Sequence, residues 1–287
     1  RVEYLKITDS NQQSTFVSNI EKIVKEYSIH QIEYQEPDEF RVDEDLKSLK
    51  SLSLEVIMVS SEHFLTNRSD LKEMFVGKKT YLMESFYRKM RVKWNVLVDE
   101  NSQPLEGKWN FDHDNRKKWD PKRAVPPPLE FSHDARSLLE ELELAKVKTM
   151  GRINPSCSVW PINRTEALQV FHYFLEWLLP LFGDFQDSMV QNERFLFHSR
   201  ISFALNVKML HPLEVIQAVE RAYQEGVVKI NQAEGFIRQI LGWREFVRGI
   251  YWAEMPQYAK LNHFNHKNPL PDFFWTGKTD LNCLSQS

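Results

Sequence analysis

Hydrophobic periodicity breaks once along this chain of 287 residues, and the break constrains what can fold on either side of it. Over residues 99–133, which include "DENSQPLEGKWNFDHDNRKKWDPKRAVPPPLEF", the sequence keeps neither helical nor strand period. Three consecutive prolines, Pro126 to Pro128, remove the N–H donors that a helix interior or a central strand requires. An aperiodic segment this long reads as a functional loop or an interdomain linker. The expected division is therefore 1–98, a linker at 99–133, and 134–287.

Ahead of the break the pattern alternates. "VEYLKI" (2–7), "QIEY" (31–34) and "LEVIMVSS" (54–61) read as strands. Residues 14–27 place Phe16, Ile20, Ile23 and Val24 on one helical face after a Ser/Thr start, and 42–52 form a short polar helix. Strand, helix, strand, helix, strand predicts an α/β layer with a parallel sheet, thin and incomplete at three strands. A further helix is expected over 80–98. Past the break only helices follow. "DARSLLEELELAKV" is one. Residues 163–183 start after an Asn/Thr cap and end near Pro180 and Gly183, and 211–226 have Pro212 near the start and Gly226 at the end. The fold class is an α/β domain followed by an all-α domain.

Composition excludes several classes. At net charge −3 the whole molecule is no electrostatic nucleic-acid binder, so DNA contact needs a local basic patch. Two distant cysteines, Cys157 and Cys283, make no disulfide framework, which fits a reducing compartment. No run reaches the roughly 20 apolar residues of a membrane span, and no signal peptide is visible. Aromatics at 13% suit a large helical core or a stacking site.

The last helix, "EGFIRQILGWREFVRGIYW" (234–252), holds more than a core requires. Phe236, Ile240, Trp243, Val247 and Ile250 make one apolar stripe. Gly242 and Gly249 each cost about 1 kcal/mol against Ala in a helix interior, so something approaches the backbone closely there. That partner is either another helix or a flat ligand, with Gln239 beside it as a donor. Arg238, Arg244 and Arg248 form either a phosphate-binding flank or a solvated face with Glu234 and Arg238 paired at i, i+4. In "FLFHSRISFALNVKMLHP" (195–212), His198, Ser199 and Ser202 interrupt an apolar run. They suit a phosphate or a sugar-like hydroxyl chain, or a self-satisfied buried pair. A hydrolase dyad is disfavoured, because no nucleophile elbow of the form G-x-S-x-G is present.

Taken together, "SRIS" (199–202) and "GWREF" (242–246) resemble the paired signatures of the photolyase/cryptochrome superfamily. "KWNFDHDNRK" (108–117), "FGDFQDSM" (182–189), "RFLFHS" (194–199), the helix 234–252 and "FWTGKTDLNCL" (274–284) are similar to its iron–sulfur bacterial branch, the deoxyribodipyrimidine photolyase-related proteins. The resemblance covers nearly the whole chain. It implies a Rossmann-like antenna domain, incomplete here, and a helical FAD-binding domain incomplete at its C-terminus, so that the chain is a central piece of a longer protein. It implies light-driven repair of (6-4) photoproducts, with photoexcited reduced FAD passing an electron to a flipped lesion. The alternative is a cryptochrome-like blue-light receptor without repair, and beyond both lies a helical scaffold without a cofactor.

The resemblance also implies roles. His198, Ser199, Ile201, Ser202, Leu205, Gln239 and Arg244 would bind FAD, with Phe203–Ala204 standing where the family has Pro–Tyr. Gly242 stands as an extra residue beside the "WREF" pattern. Trp243, Arg238 and Arg248 would face DNA or the lesion, and Trp275 and Gly277 match a turn near the same site. Cys283 would be the first ligand of a 4Fe-4S cluster, which needs four thiolates. The other three, and the residues that flank the flavin ring and the lesion, are expected beyond Ser287. A ribityllumazine antenna is a further possible cofactor, UV-damaged DNA the partner, and the expected state a monomer in the bacterial cytoplasm, on the nucleoid when bound to DNA.

Overall fold

The computed structural model describes residues 2–285 apart from 11, 13, 14, 53, 121, 152 and 192. Its elements, in chain order, are α1 (Phe16–Tyr27), β1 (Gln31–Gln35), α2 (Phe40–Lys47), β2 (Glu55–Val59), α3 (Asp70–Met74), α4 (Met83–Trp94) and α5 (Arg136–Leu144). There follow α6 (Arg164–Tyr173), α7 (Leu179–Phe185), α8 (Ser202–Asn206), α9 (Pro212–Gln224), α10 (Ile230–Ile237), α11 (Glu245–Glu254), α12 (Phe273–Thr276) and α13 (Asn282–Ser285). About half of the described residues are helical, counting short 3-10 and π turns.

Packing gathers these elements into two compact units whose limits do not follow chain order. The first holds residues 1–60, 131–160 and 256–287; the second holds 61–130 and 161–255. Residues 61–98, which precede the aperiodic break, thus pack with the later helices.

In the first unit β1 and β2 pair in parallel, Gln31 opposite Glu55 through Gln35 opposite Val59. The crossover runs through α2, as parallel strands require. The expected third strand, 2–7, has no regular structure and is exposed. A strand exists only through its ladder partner, and 2–7 finds none among the described residues. Thr15 caps α1 by accepting from the Ser18 amide at 3.1 Å.

In the second unit α6 is capped as the sequence suggests, and α9 carries a cap that it does not suggest. The Asn163 side chain accepts from the Glu166 amide at 2.9 Å. His211 and Glu214 form a capping box at the head of α9. The helix expected to end near Pro180 and Gly183 runs on to Phe185. A π turn over Phe174–Leu178 joins α6 to α7. Proline clashes with the carbonyl four residues back, and a widened turn just ahead of Pro180 relieves that clash.

The segment 99–133 is more than a tether. It holds two 3-10 turns, Leu105–Gly107 and Asp112–Asp114, and it buries Phe111 and Asn115. Asn115 exchanges hydrogen bonds with Asn231, its Nδ2 donating to the main-chain oxygen at 3.0 Å and its Oδ1 accepting at 2.8 Å. Glycines admit it: a Cβ at Gly183 would lie 2.7 Å from Asn115 Oδ1, and one at Gly235 2.8 Å from its Nδ2.

The helix that ends the core is also interrupted. Arg238–Arg244 form a π segment between α10 and α11. Bonding from i to i+5 puts one more residue into the turn than α geometry does. That residue breaks the apolar stripe read from the sequence. Phe236 and Ile240 are buried, but Trp243 is 45% exposed and Val247 60%. The buried face of α11 is instead Glu245, Phe246, Arg248, Gly249 and Ala253.

Candidate functional site

Four chain segments enclose a cavity of about 320 Å³ in the second unit: the end of α7, the stretch before α8, α8 itself, and the run from α10 into the π segment. This volume is at the lower end of the range for small-molecule sites. Its wall is Phe182, His198, Ser199, Ile201, Ser202, Leu205, Asn206, Phe236, Gln239, Ile240 and Arg244. All seven residues expected to bind a cofactor, from His198 to Arg244, line this one space.

Each wall has a local cause. Phe182 and Phe236 meet edge-on with ring centroids 5.4 Å apart, and Phe174 backs Phe236 at 4.5 Å. Ile201 and Leu205 are buried, four residues apart on α8 and its lead-in, so they share a face. His198 and Ser199 lie on an irregular stretch bracketed by Leu196 (φ 42°) and Arg200 (φ 57°). Left-handed backbone is uncommon in such residues and persists where surroundings enforce it. Arg200 supplies that enforcement: Nη1 donates to the Leu129 oxygen at 3.1 Å, and its guanidinium lies 4.4 Å from the Phe195 ring centroid.

The polar groups form a short, mixed set. Gln239 donates from Nε2 to the Gly235 oxygen at 3.2 Å, closing on the helix turn below it. The residue His198 is exposed, but its imidazole packs edge-on against Phe182 at 5.7 Å. That desolvation lowers its pKa, against a hydrogen bond to the Gln186 main chain that raises it. Burial thus favours the uncharged form of the His198 ring. It also borders a second cavity of about 300 Å³, walled by Pro126–Pro128, Glu130, Arg194 and Arg200, so the triple-proline loop reaches the same neighbourhood.

The arginines divide. Arg244 lines the cavity. Arg238 is buried and bonds to Asp112, with Glu234 at 3.7 Å. Arg248 is buried and donates to the Thr66 oxygen at 2.7 Å. The expected flank for DNA phosphates is thus turned inward at Arg238 and Arg248, whose buried guanidinium groups bond through Nη atoms to Asp112 and Thr66 of the protein. The i, i+4 pair of Glu234 and Arg238 exists, but inside the unit and not on a solvated face. Trp243 stands on the exposed side of the π segment, outside the cavity lining.

The glycines also have protein partners. A Cβ at Gly242 would lie 3.3 Å from Tyr87 of α4, and one at Gly249 3.0 Å from the Leu71 Cβ of α3. Close helix packing, not a flat ligand, explains both. Trp275 and Gly277 belong to the first unit, at the end of α12, as does Cys283, which is exposed in α13. Among the described residues no group of three or more His, Cys, Asp or Glu could hold a metal. One thiol does not make the four-thiolate set of a cluster. No helix among these residues is long and apolar enough to cross a membrane.

Sequence periodicity had placed Phe236 and Ile240 on an apolar stripe without linking them to the cavity, and Phe182 lay within a matched string. Asn206 carried no signal. Neither did His63 and Phe64, which hold Arg244 together with Glu245 of the matched string "GWREF".

A family model described as deoxyribodipyrimidine photo-lyase-related protein matches residues 1–157. A (6-4) photolyase of Agrobacterium fabrum is 35% identical over 289 residues, covering 100% of this chain and 56% of that protein. An uncharacterized protein of Acanthamoeba polyphaga mimivirus is 32% identical over 98 residues, 34% of this chain and 74% of that one. The crystal structure of a bacterial class III photolyase from Agrobacterium tumefaciens superposes with a TM-score of 0.57 at 16% identity, over 91% of this chain and 50% of the other. At that identity the superposition speaks for the fold. The chain spans about half the length of the photolyase relative it matches.

Proposed function

Because this chain belongs to the deoxyribodipyrimidine photolyase-related family, we propose that it is the cofactor-holding part of a light-driven DNA-repair flavoprotein acting on (6-4) photoproducts. The single observation that carries the reading is the convergence of His198, Ser199, Ile201, Ser202, Leu205, Gln239 and Arg244 on one cavity.

The lining suits part of a flavin dinucleotide. Phe182, Phe236 and Ile240 offer apolar surface for a flat ring system. Ser199, Ser202 and Asn206 offer donors and acceptors for a hydroxylated chain. Arg244 supplies a cation that deprotonation does not remove, suited to phosphate. Bound reduced FAD would supply the light-driven electron. The residues of this chain would orient the cofactor and keep water from its apolar side. Gln239, on the exposed edge of the π segment, would hydrogen-bond the polar edge of the ring, and Trp243, also exposed there, would offer an aromatic face to an unstacked base. The ribityllumazine antenna and the iron–sulfur cluster rest on the resemblance alone.

An anaerobic absorption spectrum of the protein expressed from its complete gene is the test. A flavin spectrum that Ser199→Trp removes, with the helical circular dichroism intact, is expected. A colourless protein that stays so after FAD is added would overturn the reading in favour of a scaffold. Repair of a (6-4) lesion under blue light then separates an enzyme from a receptor.

A further inference from the structure

We propose that His63 is a positioning residue for this cavity: its imidazole and main chain set the direction of the Arg244 guanidinium, and so the charge that the cavity presents to its cofactor. The inference rests on the cofactor reading above and adds a residue to it.

Donor chemistry fixes the geometry. A guanidinium carries five N–H donors and no acceptor. Arg244 Nη2 lies 2.8 Å from His63 Nε2. Both Nη1 and Nη2 lie 3.3 Å from the His63 main-chain oxygen, and Nη1 lies 3.1 Å from Glu245 Oε1. Arginine can only donate, so His63 Nε2 presents its lone pair and the ring is neutral, with its proton on Nδ1. Arg244 Cζ also sits 3.9 Å from the centroid of the Phe64 ring. Two consecutive residues of one segment thus hold the guanidinium by its edge and by its face.

That segment, 61–67, has no regular structure, so its rigidity must come from straps. Glu245 provides one: its Oε2 accepts from the Leu65 amide at 3.0 Å, the Thr66 amide at 3.1 Å and the Thr66 hydroxyl at 2.8 Å. Arg248 bonds the Thr66 oxygen. At the other end His211 Nε2 lies 2.8 Å from the Glu62 oxygen, at the head of α9. His63 itself is 5% exposed. A buried histidine whose only task was to fill space would not need its acceptor nitrogen aimed at the one arginine that lines the cavity. With the imidazole removed, Arg244 keeps the His63 main-chain oxygen, Glu245 and the Phe64 face but loses the shortest of the contacts that fix its rotamer.

The test compares His63→Ala and His63→Gln in the protein expressed from its complete gene. Flavin affinity is read by fluorescence quenching, and the order of Arg244 by the 15N–1H signals of its guanidinium. Loss of a hydrogen bond to a charged group predicts flavin affinity roughly tenfold to a hundredfold weaker in His63→Ala. The glutamine carbonyl can accept from Arg244, so His63→Gln should recover most of that loss. Equal weakening in both variants, or none in either, overturns the proposal. If the parent protein takes up no flavin, it is the cofactor reading that fails. The guanidinium signals then decide alone: ordered in the parent and His63→Gln but averaged in His63→Ala upholds positioning, and ordered in all three refutes it.

Discussion

Glu234 is a carboxyl group kept from water, at 0% exposure, with the Phe111 amide donating to its Oε2 at 3.2 Å. Burial raises its pKa from 4.5 to about 7, against that hydrogen bond and the charge of Arg91, which lower it. The folded state therefore holds a proton between those values that the unfolded chain releases. The stabilising contribution is full below pH 4.5 and is lost as pH rises through about 7, a loss of at most roughly 3 kcal/mol. Urea unfolding at pH 5 and pH 8 should show Glu234→Gln removing most of this group's pH dependence and stabilising the protein at pH 8. An unchanged difference between the two pH values would mean that Glu234 stays ionised throughout. None of this was legible in the sequence, where Glu234 reads as half of an exposed i, i+4 pair. The residue type and spacing were right, but burial depends on segment 108–117 folding over it, and no local pattern encodes that.

At the scale of elements, the π segment at 238–244 sets which face of α11 meets the protein. Two changes separate register from glycine content. Gly242→Ala adds a methyl that must fit 3.3 Å from Tyr87 and Arg238, and should cost about 1 kcal/mol. Inserting an alanine after Phe246, where α11 has no π turn to absorb it, should turn the rest of α11 by roughly 100° against α10 and pull Arg248 and Gly249 from Thr66 and Leu71. A loss well above that of Gly242→Ala is expected in denaturant unfolding; equal losses would show that register is unimportant. The sequence revealed the helices well. Thr15, Asn163 and Pro212 mark starts that the structure keeps, because capping is local chemistry. It misjudged Trp243 and Val247, because a stripe drawn at 3.6 residues per turn assumes an unbroken helix. The cavity was legible as a set of residues, through the matched strings, but not as a shape. The polar insertions at His198, Ser199 and Ser202 marked one wall, while Phe182 and Asn206 became neighbours of that wall only through tertiary packing.

For the whole molecule, the two compact units cross the order of the chain: residues 61–98 join the later helices, while 131–160 and 256–287 join the early strands. An aperiodic loop can be seen in a sequence, but the partner that a segment chooses across it cannot. Charge adds a constraint at this scale. The chain has a net charge of −3, and Arg238 and Arg248 are turned inward. If the proposed function holds, DNA affinity should follow the lesion more than the salt. Titrating damaged and intact duplexes across salt concentrations should give a slope for intact DNA of magnitude below roughly 4, since each neutralised phosphate contributes about 0.9. A steeper slope would point to a basic surface outside the face described above. The π segment has a consequence for any comparison made along the full length of this chain. One more residue per turn is what a single-residue insertion looks like when a helix absorbs it without breaking. An alignment with a relative whose helix is regular should open a one-residue gap between 238 and 244. Placing that gap elsewhere would pair Trp243 with a core position and Phe246 with an outward one.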